Sequence, residues 1–200
     1  MSSLKTKYRG WIQGKTRIAA AWLFALGLIF ISRDFPKWHG ILVCFVGASL
    51  RYWASGYLRK DSRPAVGGPY AFVRNPLYLG TYLMAVGVLM AIENWTIVII
   101  SSIAFWAVYH FIILDEETKL QKLFGASYTK YCGSVPRFFP RIWPPFFPAA
   151  QATLLKINPE KSHLSYSAEL AAKNKAFEAY ASFAGLIALV WFSAWFWQHS

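Results

Sequence analysis

Long apolar runs separated by short polar breaks dominate the chain. Four of them occupy roughly residues 18–32, 41–55, 77–92 and 95–114, and a fifth, 179–197, follows a long polar stretch. A helix needs about 20 residues to cross a hydrocarbon core of about 30 Å. The first three runs are shorter than that and lean on flanking residues or local thinning of the bilayer. Together the runs fill too much of the chain to be the buried helices of a water-soluble protein. The pattern predicts an all-α, polytopic membrane protein of about five transmembrane helices. Glu93 and Asn94 are the only break between the third and fourth runs, so these two form an antiparallel hairpin.

The polar stretch carries its own pattern. Between 119 and 131, Leu120, Leu123, Phe124 and Tyr128 recur at helical spacing while Lys119, Lys122 and Lys130 face water, which predicts a helix at the membrane surface. Residues 135–148, VPRFFPRIWPPFFP, hold five prolines and five aromatics. Proline forbids a helix interior and aromatic rings favour the membrane–water interface, so this segment reads as an irregular lid or belt. Residues 168–178 read as another interfacial helix that leads into the last run. No internal repeat or low-complexity linker divides the sequence. It is read as a single membrane domain, 1–200, with its chemistry-bearing core at 55–140 and an interfacial helix plus last span within 149–200.

Composition sharpens this picture. The chain has 200 residues, of which 56% are hydrophobic and 15% charged, yet its formal net charge is +12. If the N-terminus lies in the cytosol and five spans are threaded, every basic residue except Arg33 and Lys37 falls on the inside. That asymmetry satisfies the positive-inside rule and places the suspected site on the cytosolic face, in the cell (inner) membrane if the source is bacterial. Nucleic-acid binding is the rival explanation of the positive charge. The basic residues are spread over three loops with no accompanying motif, which argues against it. Cys44 falls inside a span and Cys132 in a cytosolic loop, so a disulfide between them is not expected. The basic N-terminus and first apolar run imitate a signal peptide, but Arg33-Asp34-Phe35-Pro36 offers no small-residue cleavage site, and the segment is read as retained.

The stretch GPYAFVRNPLYLG, residues 68–80, concentrates the candidate chemistry. Asn75 is a favoured N-cap residue and Pro76 a favoured first helical residue, so the third helix begins there. Its unpaired N–H groups and positive dipole end, next to Arg74, form a site for an anion. The same residues also serve as an ordinary helix start with a topogenic charge. Asp115, Glu116 and Glu117 follow the fourth run at what reads as a helix C-terminus, where each negative charge is unfavourable by about 0.3–1 kcal/mol. The hairpin brings Arg74 and Glu116 together. A helix start that accepts a carboxylate, opposite acids that accept an ammonium or ribose hydroxyls, suits a zwitterionic nucleoside ligand. His110 lies seven residues before Glu117 on the same helix face; an intramembrane histidine also serves simply to bond a neighbouring helix. Gly80 and Gly87, seven apart, line one face and read as close packing inside the chain rather than as a dimer seam.

Three elements then occur in order: Arg-Asn-Pro-Leu-Tyr-Leu-Gly, the Glu116-Glu117 pair, and Phe-Gly-x-x-Tyr-x-x-Tyr ending in Val-Pro. With them the sequence over about 55–140 resembles the isoprenylcysteine carboxyl methyltransferase and phospholipid methyltransferase group of integral membrane enzymes. The resemblance implies S-adenosyl-L-methionine as cofactor, contacted by Tyr70, Asn75, Pro76, Leu77, Tyr78 and Glu116, with the segment 62–65 lining it. It implies no metal. The carboxyl methyltransferases carry an arginine four residues before the first glutamate; Ile112 stands there in this chain, so that carboxylate clamp is missing. Arg74, Arg137 and Arg141 are candidate partners for a substrate carboxylate, and Glu117 or His110 for a proton from an amine or hydroxyl. O- and N-methylation both stay open. The substrate expected is lipophilic and enters from the bilayer among the membrane lipids. An NADPH-dependent reductase of the sterol reductase type, whose phosphates would need Arg59, Lys60, Arg63 and Arg74, and a non-catalytic membrane subunit are the competing readings.

Overall fold

A computed structural model describes residues 27–28, 30–59, 64–140 and 165–200. Among the described residues the helices α1 (Trp38–Ser55), α2 (Pro76–Ala91), α3 (Trp95–Ser134), α4 (Ala168–Lys173) and α5 (Glu178–His199) follow one another, with a 3-10 turn at Gly68–Ala71 before α2; residues 27–28 and 30–31 are helical as well. Among the described residues there is no strand. The apolar runs predicted at 41–55, 77–92, 95–114 and 179–197 each lie on a helix; most of the run 18–32 lies outside the described residues.

The central contact is α1 against α2, and glycine makes it possible. A Cβ placed on Gly47 would sit 2.6 Å from the Gly80 carbonyl oxygen, and one on Gly80 would sit 2.7 Å from the Gly47 oxygen. Gly40 on α1 and Gly87 on α2 meet the partner backbone in the same way. The two backbones therefore touch, as small residues permit at membrane helix crossings. Gly80 and Gly87 share one face, and that face is covered within the chain. Cys44 and Ala48 are fully buried at the crossing, and both cysteines are free thiols.

The C-terminal helices dock on α1. The Asn174 amide donates to the carbonyls of Ser55 and Leu58 at 2.9 and 2.7 Å, which ties α4 to the end of α1. Along α5, the Tyr180 hydroxyl donates to Ser49 Oγ at 3.1 Å and Phe183 packs edge-on against Phe45. Further on, Ser193 Oγ donates to the Ser32 carbonyl at 2.8 Å.

Two helices, α3 and α5, are long and apolar enough to cross a membrane, and little of either apolar stretch is buried. Ile99, Ile100 and Ile103 on α3 and Trp191 and Phe192 on α5 are exposed, which water would penalise and lipid would not. The chain is an α-helical membrane protein. At 16 residues, α2 is about 24 Å long.

The sequence reading ends the fourth helix near residue 114, but α3 continues to Ser134. The acids Asp115 to Glu117 therefore sit inside a helix and not at its C-terminus, and the dipole penalty expected there does not arise. The predicted surface helix is the far part of α3. Its break comes at Gly125, whose φ of 53° and ψ of −126° suit a residue without Cβ. Gln121 Nε2 bridges the break, donating to the Gly125 carbonyl and to Thr129 Oγ1. Leu120, Phe124 and Tyr128 pack inward against Val66 and Tyr131 as their spacing predicts, while Leu123 stays exposed. The helix ends at Val135, in extended conformation at φ −120°, because a residue before proline is pushed out of the helical region. Of the predicted Pro-aromatic segment, residues 135–140 are described; the remainder, with Arg141, lies outside the described residues.

Candidate functional site

Everything singled out in residues 68–80 converges on the end of the α2–α3 hairpin away from its turn. Gly68 takes φ +54° and brings the backbone against the Tyr57 ring, where a Cβ would collide. The 3-10 turn that follows buries Tyr70, and the Tyr131 hydroxyl donates to the Tyr70 carbonyl at 2.7 Å. This contact explains the Phe-Gly-x-x-Tyr-x-x-Tyr element. Gly125 redirects α3 so that Tyr128 and Tyr131, both buried, reach back to the loop before α2.

From there the segment 135–138 runs across the start of α2. The Arg74 amide donates to the Pro136 carbonyl at 2.8 Å. The Asn75 side-chain amide donates to the Arg137 carbonyl at 2.9 Å. Asn75 does occupy the N-cap position, but its side chain makes no cap hydrogen bond. The expected cap is thus replaced: the amide is turned toward the crossing segment, and Asn75 does not cap the start of α2.

Two acids on α3 complete the end, with different partners. Tyr78 donates its hydroxyl to Glu116 Oε2 at 2.5 Å, and Glu116 is exposed. Glu117 is the centre of an ion cluster. Arg74 Nη1 lies 3.0 Å from its Oε1, Arg137 Nε is 3.1 Å from both oxygens, and Arg137 Nη2 is 2.9 Å from Oε2. The Arg74 and Glu117 side chains are only 12% and 11% exposed, against 42% for Arg137. Arg74 Nε is buried with no hydrogen-bond partner among the described residues. Its hydrogen bonds to Glu117 push the Arg137 guanidinium above its ordinary value, so it stays charged. Burial, and then the Glu116 and Tyr78 charges, push the Tyr70 phenol well above its ordinary value, with Arg51 opposing.

An aromatic wall flanks the acids on the side of the apolar part of α3. Tyr109 stacks on Phe105 at 3.8 Å and meets Tyr78 edge-on at 5.4 Å. Phe138 closes the wall from the crossing segment, 4.5 Å from Trp106 and 6.0 Å from Tyr82.

The structure thus brings together Tyr70, Arg74, Asn75, Pro76, Leu77, Tyr78, Glu116, Glu117 and Arg137. His110 is not among them. It lies two turns before Glu117, is exposed, and makes its ring contact with Phe111. Ile112 is half-buried. Ser62 and Arg63, from the segment implied to line a cofactor, lie outside the described residues; Pro64 and Ala65 are half-buried. Arg51 is the residue the sequence reading passed over, as a topogenic charge. Its Nη1 donates to Thr81 Oγ1 and to the Leu77 carbonyl in the first turns of α2. The signal was there: an arginine one turn inside an apolar helix needs a polar partner.

Comparison with known proteins bears on this geometry. The sequence profile of the phospholipid methyltransferase family matches residues 16–127. A protein-S-isoprenylcysteine O-methyltransferase of Schizosaccharomyces pombe is 32% identical over 96 residues, 48% of this chain and 41% of the relative. The nickel-cobalt-cadmium resistance protein NccN of Alcaligenes xylosoxydans xylosoxydans is 31% identical over 105 residues, 52% of this chain and 47% of the relative. The cobalt-zinc-cadmium resistance protein CzcN of Cupriavidus metallidurans is 30% identical, with the same shares covered. The chain spans less than half the length of each of these relatives. No solved structure matches it. The matched region holds α1, α2, the Glu116-Glu117 pair and the α3 break, and by that match the chain belongs to the phospholipid methyltransferase family.

Proposed function

We propose that the protein is a membrane-embedded methyltransferase that uses S-adenosyl-L-methionine to methylate a lipophilic substrate. The observation that carries this reading is the convergence of the α2 start with Glu116, joined by the 2.5 Å bond from Tyr78, in a member of a methyltransferase family. The residues fit the cofactor. The start of α2 lacks a side-chain cap and offers N–H groups to a carboxylate. Glu116 is exposed beside it and accepts from an ammonium or from ribose hydroxyls. Tyr70, Asn75, Pro76, Leu77 and Tyr78 form the wall between them.

The cofactor, when bound, supplies a methyl group on a sulfonium. What the chain contributes is alignment and exclusion of water, since a methyl transfer requires acceptor, carbon and sulfur in line. Tyr78, Tyr82, Phe105, Tyr109 and Phe138 form the apolar side, facing the direction from which a bilayer-borne acceptor enters. With Ile112 in place of the arginine clamp, an anionic acceptor meets Arg137, whose side chain is 42% exposed, rather than Arg74, whose side chain is 12% exposed. In this reading the chain crosses the membrane about five times, with the N-terminus and the site in the cytosol. The relatives named for metal resistance suggest a metal-handling alternative, but among the described residues no three His, Cys, Asp or Glu side chains come together to support it.

The test is binding of labelled S-adenosyl-L-methionine to the purified protein in lipid nanodiscs. Glu116→Gln and Tyr78→Ala are expected to abolish it; unchanged binding in both overturns the residue assignment. Labelled methyl transfer into a lipid extract, run beside an NADPH hydride-transfer assay, identifies the reaction.

A further inference from the structure

We infer that Glu117 is a positioning residue: by gripping Arg74 and Arg137 together it fastens residues 135–138 across the start of α2 and holds the cofactor-binding turn in register. The inference rests on the methyltransferase reading for its cofactor half, and on the geometry alone for the rest.

The two segments that Glu117 joins are already joined beside it. Arg74 N–H bonds the Pro136 carbonyl, and the Asn75 amide bonds the Arg137 carbonyl. Neither bond overcomes charge, because each segment brings a guanidinium to the same place. With the carboxylate present the two cations share one anion. Without it they face each other, and attraction between the segments becomes repulsion. The sign of this side chain therefore decides whether the crossing segment lies down or lifts.

The neighbouring acids divide the work by exposure and by occupancy. Glu117 accepts four short contacts from the two guanidiniums, two on each oxygen, and is 11% exposed. Its acceptor positions are filled by protein, so none is directed at an acceptor proton. Glu116, one residue earlier, is exposed and receives Tyr78. Arg74 lies just before the N-cap of α2 and Tyr78 in its first turn, so the pairs 74–117 and 78–116 are neighbouring contacts from the start of α2 to adjacent residues of α3. This reassigns Glu117 from the proton-accepting role that its residue type first suggested.

The experiment compares wild type, Glu117→Gln, Glu117→Asp and Arg137→Gln in nanodiscs, reading amide hydrogen exchange at 74–78 and 135–138 and the affinity for S-adenosylhomocysteine. Arg137→Gln cuts the cluster from its half-exposed side and serves if the Glu117 variants do not fold. Glu117→Gln is expected to speed exchange at both segments and to weaken S-adenosylhomocysteine by about tenfold or more, as loss of hydrogen bonds to a charged group does. Glu117→Asp recovers part of both, and Arg137→Gln moves both in the Glu117→Gln direction by less. Unchanged exchange at 135–138, or affinity within about twofold of wild type in a folded Glu117→Gln protein, overturns the positioning role. A wild type that fails to bind S-adenosylhomocysteine overturns the methyltransferase reading instead, and the exchange data still decide whether Glu117 fastens the segment.

Discussion

The α2–α3 hairpin has an asparagine at the start of each helix, and the two do opposite things. Asn94, in the turn, accepts from the Ile97 amide at 3.1 Å and caps α3. Asn75, at the site, spends its side chain on the Arg137 carbonyl and leaves α2 uncapped. Charges differ in the same sense. At the turn, Lys37 and Glu93 stand 3.9 Å apart with both side chains about half exposed. At the site, Arg74 and Glu117 are 3.0 Å apart and nearly buried. The turn caps its own helix with a local bond and adds a half-exposed ion pair to the segment before α1. The site end gives up the Asn75 cap for bonds to a segment some sixty residues away.

Breaking each end should expose that contrast. The largest effect belongs to Glu117→Ala, which leaves two guanidiniums without their shared anion and should cost about 3–5 kcal/mol in denaturant unfolding of the detergent-solubilised protein. Alkaline pH should come next. The folded-state pKa of Tyr70 is raised above its ordinary value of 10.0, so its contribution is whole below that pH and is lost as pH climbs toward the folded-state value. The slope is up to about 1.4 kcal/mol per pH unit, and Tyr70→Phe should flatten a stability–pH profile above pH ~10. Asn75→Ala leaves the Arg137 carbonyl unsatisfied and should cost about 1–3 kcal/mol. Asn94→Ala removes a simple cap and should cost about 1 kcal/mol while leaving S-adenosylhomocysteine affinity unmoved. Lys37→Met should change the melting free energy by less than about 0.5 kcal/mol. If Asn94→Ala weakened ligand binding as much as Asn75→Ala, the distinction between the two ends would collapse.

The helices were legible because apolar runs and a two-residue break dictate a hairpin, and the pairing of Arg74 with the acids of α3 followed from that hairpin alone. Glycines 80 and 87 were legible as a packing face because their spacing repeats every two turns. The continuation of α3 past residue 114 was not. A cluster of acids marks where a helix leaves the apolar phase, and a helix can leave it without ending. Nor did Asn75 reveal that its amide would turn outward, since a favoured N-cap residue carries no mark of a competing carbonyl 62 positions away. Gly125 sat inside a helical pattern, and only the buried tyrosines beyond it show why the chain bends there.

The docking of α5 on α1 has a consequence in time. Tyr180 reaches Ser49 across 131 residues of sequence. At synthesis rates of about 5–20 residues per second, some 7–26 s separate their appearance. During that interval the face of α1 that receives α5 waits without that partner. The glycine crossing with α2, complete far sooner, is the contact that keeps α1 in place until its last partner is made.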